Sequence, residues 1–315
     1  MAARATQLAD DLWLIDTLFQ GEPGVIASYL LTGPHGLALV DVGSAASVEH
    51  LLAGVLEAGY DPAEIQHLLL THIHLDHAGA AGTLVRLLPR AHVYVHRLGA
   101  AHLAAPARLL ASAARIYGED MERLWGQVEP VPMDRLTTLD EGDEIGIGAR
   151  LLNVLYTPGH ATHHIAFHDA TRHELFAGDA AGVRLASLDF VRPPTPPPDL
   201  HLEDWSATIA RFMTLRLDRL FVAHYGPAEN VAAHLRQLDE RLRRWGELLL
   251  PGIRAGASDA ALAETLRRGA DPELARVAGE HDAAALRRYE MATNYLMSAQ
   301  GYVRYYRKCH PELLA

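Results

Sequence analysis

The sequence predicts an α/β fold with two facing sheets and a helical C-terminal extension. Two observations carry this reading. Short β-rich runs come in two batches within the first 227 residues, and helical patterns separate the batches and interrupt the first. From residue 228 to residue 315 the pattern is almost wholly helical. The domain boundaries drawn from this are 1–227 and 228–315.

In chain order, "LWLID", "VIASYLL", "LALVDVG", "HLLLTH" and "HVYVH" read as strands of the first batch. "SVEHLLAGVLEAGY" carries apolar residues at helical spacing behind Ser47 as N-cap, and "AGAAGTLVRLL" is a second helix that stops at Pro89. Residues 98–126 read as helical. The second batch is "ARLLNVLYT", "HHIAFHD", "HELFAGD" and "RLFVAHYG", separated by turns rich in Gly, Pro and Asp. The stretch "VRPPTPPPDLHLEDW" interrupts this batch and reads as an extended, polyproline-like surface segment.

Composition narrows the function classes. A chain of 315 residues with 49% hydrophobic content can bury a sizeable core. A formal charge of −11 argues against a nucleic-acid partner. The N-terminal stretch has no apolar core behind a basic start, and no segment approaches 18 uninterrupted apolar residues. The expectation is a cytoplasmic protein without membrane contact, acting on a small molecule, with a homo-oligomer left open. Cys309 is the single cysteine, so there is neither a disulfide framework nor a cysteine cluster for metal. Any metal must be held by histidine and carboxylate.

The stretch "THIHLDHAGA" meets that requirement, with His72, His74, Asp76 and His77 inside six positions directly after an apolar run. His72 and His74 are two apart and share a side in extended chain, while Asp76 and His77 enter the following loop. A histidine at a strand end can equally cap a helix or make an ordinary hydrogen bond. Three further strand ends add to the set: His160 in "TPGHATHH", Asp179 in "LFAGDAAG" and His224 in "FVAHYGP".

These four stretches, in this order and at these separations, resemble the metallo-β-lactamase-fold hydrolases, with the hydroxyacylglutathione hydrolase (glyoxalase II) branch nearest in motif pattern. The resemblance spans roughly residues 10–230 and fills all seven of the family's ligand positions. It implies a four-layer αββα sandwich, with residues 1–227 as the catalytic domain, and a site for two divalent ions. Zinc is the default and manganese or iron are alternatives. It assigns His72, His74 and His160 to one ion, Asp76, His77 and His224 to the other, and Asp179 to both. A water shared by the two ions would then serve as nucleophile, with Asp76 orienting it and accepting its proton.

Other residues stand around this set. Asp41, in "LVDVG", matches a family aspartate close beneath the site and is a candidate support. Of His163 and His164, adjacent in a strand, at most one should reach the site. Tyr225 is a candidate donor to an oxyanion, with packing as the competing explanation. The tail helix carries Tyr302, Arg304, Tyr305, Tyr306 and Arg307. Arg304 and Tyr305 are candidate substrate contacts, against simple packing of an amphipathic helix.

The resemblance favours hydrolysis of a small acyl substrate, a thioester such as a hydroxyacylglutathione or a lactone. Asp179 stands where several true β-lactamases have cysteine, and His74 where flavin-linked diiron proteins have glutamate. The alternatives kept open are a mononuclear iron oxidoreductase of the persulfide dioxygenase type and a phosphodiesterase.

Overall fold

The computed structural model of the protein describes residues 4–34, 36–185, 188–278 and 283–314. Two sheets, helices and a helical C-terminal region make up the fold, as the sequence predicts. The chain divides into two compact units, the first 1–156 with 163–178 and the second 157–162 with 179–315.

In the first unit a seven-stranded sheet runs in order β1 (Ala5–Ala9), β2 (Leu12–Asp16), β3 (Ala27–Gly33), β4 (Gly36–Val40), β5 (Ile65–Leu69), β6 (His92–His96) and β7 (Leu136–Leu139). The pairs from β1 to β4 are antiparallel and those from β4 to β7 are parallel. Parallel neighbours need a crossover, and helix α1 (Val48–Glu57) supplies it between β4 and β5. Its apolar face, Val48, Leu51 and Val55, packs with Leu39, Leu68 and Val93 of the sheet in one continuous core. Ser47 sits at the N-cap position of α1, but its hydroxyl meets Ser44 Oγ at 3.1 Å instead of capping the helix.

The short helix α2 (Leu75–Ala78) and then α3 (Ala81–Leu87) follow β5. Residues 98–126 fall in a helical stretch, as expected, broken into α4 (Arg97–Ala104), α5 (Ala107–Tyr117) and α6 (Met121–Trp125). The first unit also carries β8 (Glu144–Ile147), β9 (Arg150–Tyr156), β10 (Ile165–Asp169) and β11 (Glu174–Phe176), antiparallel in order β11-β10-β9-β8. Tyr29 of β3 and Phe176 of β11 meet edge to face with ring centroids 5.5 Å apart, so the two sheets share an interior. Arg150 staples them at one end: its guanidinium reaches Asp11 at 3.0 Å, Asp169 at 3.2 Å and Glu174 at 2.6 Å. A buried cation with three carboxylates is satisfied as a group, and losing the arginine alone would strand the acids.

The second unit holds the hairpin of β12 (Arg219–Val222) and β13 (Gly226–Ala228) with α7 (Leu202–Thr214), α8 (Val231–Arg254), α9 (Asp259–Ala278), α10 (Ala283–Ala292) and α11 (Tyr295–Cys309). Tyr302 and Tyr306 of α11 are buried, and the Tyr302 hydroxyl donates to the Leu242 carbonyl of α8 at 2.6 Å. The Pro-rich stretch departs from its expected place on the surface. Residues 191–195 are buried, and "HLEDW" opens α7. The cause is Arg192, which is fully buried between the rings of Tyr289 and Tyr295 and donates to the Thr293 carbonyl at 3.0 Å. A guanidinium sandwiched in this way draws its chain inward. No described helix is long and apolar enough to cross a membrane.

Candidate metal centre

In the first unit the candidate ligands stand at the carboxyl ends of β4 and β5, where open α/β sheets hold their ligands. The two strands are parallel with Val40 beside Leu69, so Asp41 and Thr71 emerge side by side. Asp41 has a positive φ of 54°, a conformation that aspartate tolerates better than most residues, and its N–H still donates to the Leu69 carbonyl at 2.9 Å. This turn aims the carboxylate across to β5. The Thr71 N–H donates to Asp41 Oδ1 at 2.8 Å and the Thr71 hydroxyl to Asp41 Oδ2 at 2.9 Å.

Asp41 thereby becomes the hub that orients two histidines. The Nδ1 of His77 lies 2.9 Å from Asp41 Oδ2, and the Nδ1 of His72 lies 3.0 Å from Thr71 Oγ1. A carboxylate and a hydroxyl already donating elsewhere both accept here, so each ring carries its proton on Nδ1 and presents Nε2 as the lone pair. His72 Nε2 lies 3.0 Å from His74 Nδ1, and His77 Nε2 lies 3.5 Å from Asp76 Oδ2. Asp76 and His77 sit in the single turn of α2, not in a loop, and that turn brings them beside His72.

His163 and His164 both lie near His72, with ring centroids 6.2 Å and 4.9 Å away. The expectation that at most one could approach assumed a strand. Strand β10 begins only at Ile165, so the alternation rule does not reach them. Tyr117 is a neighbour with no sequence signal; burial, and then the Asp76 carboxylate, push its phenol well above the ordinary range.

In the second unit Asp179 stands between two histidines. Its Oδ2 is 3.6 Å from His160 Nε2 and its Oδ1 is 3.6 Å from His224 Nε2. His160 donates through Nδ1 to the Pro194 carbonyl at 2.8 Å, which again leaves Nε2 as the ligand nitrogen. The turn that ends at Ala181 and carries Asp179 is clamped from two helices. Trp205 Nε1 of α7 donates to the Ala180 carbonyl at 2.8 Å, and His234 Nε2 of α8 to the Ala181 carbonyl at 2.7 Å. Burial lowers the pKa of His234 to about 4, so it works as a neutral donor.

The remaining candidates also fall in the second unit. Tyr225 is half-buried and packs against the cluster of Val183, Leu185, Phe190, Leu274 and Tyr289. Tyr305 is buried, and its hydroxyl donates to Glu203 at 2.6 Å. Arg304 is exposed, with Nε donating to the Pro198 carbonyl at 3.0 Å.

Seven described residues, His72, His74, Asp76, His77, His160, Asp179 and His224, form the His/Asp groups that could hold a metal ion. The donors fit one. Ligands about 2.0–2.1 Å from a tetrahedral ion stand roughly 3.3–3.4 Å from one another. Within each unit the neighbouring donor atoms are 3.0 to 3.6 Å apart. The set is all nitrogen and oxygen, which suits zinc, manganese and iron.

Fold and candidate donor set are together of the metallo-β-lactamase type. The chain belongs to the metallo-β-lactamase superfamily, whose family model matches residues 21–224. A metallo-β-lactamase fold-containing protein of Sulfurisphaera tokodaii is 26% identical over 222 residues, covering 69% of this chain and 79% of that one. A hydroxyacylglutathione hydrolase of Synechococcus sp. is 30% identical over 151 residues, 48% of this chain and 47% of that protein. This chain thus spans about half the length of the hydrolase. Among solved structures, a metallo-β-lactamase family protein of Thermus thermophilus shares the fold with a TM-score of 0.69 at 24% identity, covering 96% of this chain and 95% of the other.

Proposed function

We propose that the protein is a dinuclear metal-dependent hydrolase that cleaves a small acyl substrate, a thioester such as a hydroxyacylglutathione or a lactone. In this reading His72, His74 and His160 hold one ion, Asp76, His77 and His224 the other, and Asp179 both. The observation that carries it is the Asp179 carboxylate, which gives one oxygen to each of two histidines at equal distance, the arrangement a bridging ligand needs.

Two divalent ions, when bound, supply Lewis-acid polarisation of the acyl carbonyl and water activated near neutral pH. The chain supplies the rest. Asp76, half-buried and beside His77, would accept a proton at its carboxylate. Asp41 and Thr71 fix the rings of His72 and His77, so that no reorganisation is needed as charge develops. No Ser or Cys nucleophile is required. Zinc is the default, and manganese and iron suit the same donor set.

The test is a panel of thioester, lactone and phosphodiester substrates, assayed on protein as purified, after chelation and after metal is returned. Thioester or lactone turnover that vanishes and then returns supports the proposal. Phosphodiester turnover alone, or oxygen-dependent persulfide oxidation with one iron per chain, would replace it.

A further inference from the structure

A cavity of about 410 Å³ lies within the second unit, lined by Pro197, Asp259, Gln300, Val303, Arg304, Arg307 and Lys308. That size suits a small ligand. None of its lining residues belongs to the donor set described above.

Its charge is the unusual feature. Arg304, Arg307 and Lys308 occupy positions i, i+3 and i+4 of α11 and therefore share one helix face. All three are exposed, and among the described residues none has a carboxylate partner. Arg304 spends its Nε–H on the Pro198 carbonyl, at 3.0 Å. Across the cavity Asp259 is the single acid, and its Oδ2 already accepts from the Gln300 amide at 3.2 Å. Three cations therefore face one engaged carboxylate, on a chain whose formal charge is −11. Five other arginines on the helices of this unit do meet a carboxylate: Arg243 with Asp239, Arg267 and Arg268 with Glu264, Arg241 and Arg244 with Glu273. A concave site whose three cations have no carboxylate partner among the described residues suits an anion that comes from outside.

We propose that this cavity binds the phosphoryl group of a small molecule. A phosphate dianion offers three terminal oxygens, a match for two guanidinium forks and one ammonium. Val303, 7% exposed, and Pro197 give the site an apolar floor for whatever carries the group. The proposal is independent of the hydrolase reading, because no metal ligand takes part.

The experiment is calorimetric titration of the full chain with inorganic phosphate, and with succinate as a carboxylate dianion, at constant ionic strength. It is run on the parent, on the Arg307→Gln/Lys308→Gln double variant, and on Arg236→Gln as an exposed control, each checked for folding by circular dichroism. Saturable phosphate binding is expected in the parent and the control, at least tenfold weaker in the double variant, and unchanged after metal is stripped. Absence of saturable binding, equal binding in the double variant, or loss of binding with the metal would overturn the assignment. Succinate binding as tightly as phosphate would overturn the phosphoryl specificity.

Discussion

His77 and Asp41 are joined by a hydrogen bond of 2.9 Å between Nδ1 and Oδ2, with the histidine side chain fully buried and the carboxylate 4% exposed. The same carboxylate holds Thr71, whose hydroxyl faces His72. One residue outside the candidate donor groups therefore sets the orientation of two within them. Asp41→Asn keeps the shape but loses acceptor capacity. Metal affinity, read by chelator competition, should fall about 10–100-fold while the chain stays folded. Unchanged affinity would mean that the histidines are oriented by something else.

Gly159 precedes His160 with a φ of 127°, and a Cβ there would lie 2.3 Å from the Trp205 Cα. Both the backbone conformation and the space exclude a side chain. Gly159→Ala should push α7 away and pull the Trp205 clamp off Ala180, lowering thermal stability and metal content together. A variant that melts like the parent with full metal would contradict this packing.

The burial of His234 gives a signed pH dependence. Its pKa falls from the ordinary 6.5 to about 4, so the unfolded chain takes up the proton first. Stability from this group is complete above about pH 6.5 and drains away as pH falls toward 4, by roughly 3 kcal/mol in all. His234→Gln can still donate to Ala181 but does not titrate. Its melting temperature should therefore fall less steeply than that of the parent between pH 6.5 and 4. Parallel curves would show that His234 is not the group responsible.

The candidate site residues were legible in the sequence because each sits where an apolar strand run ends in a polar turn. That made Asp41, "THIHLDH", "PGH", "AGD" and "AHYG" readable without coordinates. What could not be read was support across long sequence distances. Trp205 and His234 reach the Asp179 turn from helices 25 and 53 residues downstream, and nothing in "LEDW" or "AAHL" announces it. Local rules also misled where an element began late or a buried side chain took hold. His163 and His164 lie just ahead of their strand, and Arg192 draws a proline-rich stretch into the interior. The tail tyrosines, offered as ligand contacts or as packing, include Tyr302 and Tyr305, whose hydroxyls are hydrogen-bonded within the second unit.

The number of ions per chain tests the central claim most directly. Elemental analysis of protein purified without added metal should give about two divalent ions per chain, zinc foremost. Asp179→Ala should lose occupancy at both sites, whereas Tyr225→Phe should keep both ions. A parent with a single iron, or an Asp179→Ala variant that retains two ions, would contradict the dinuclear assignment.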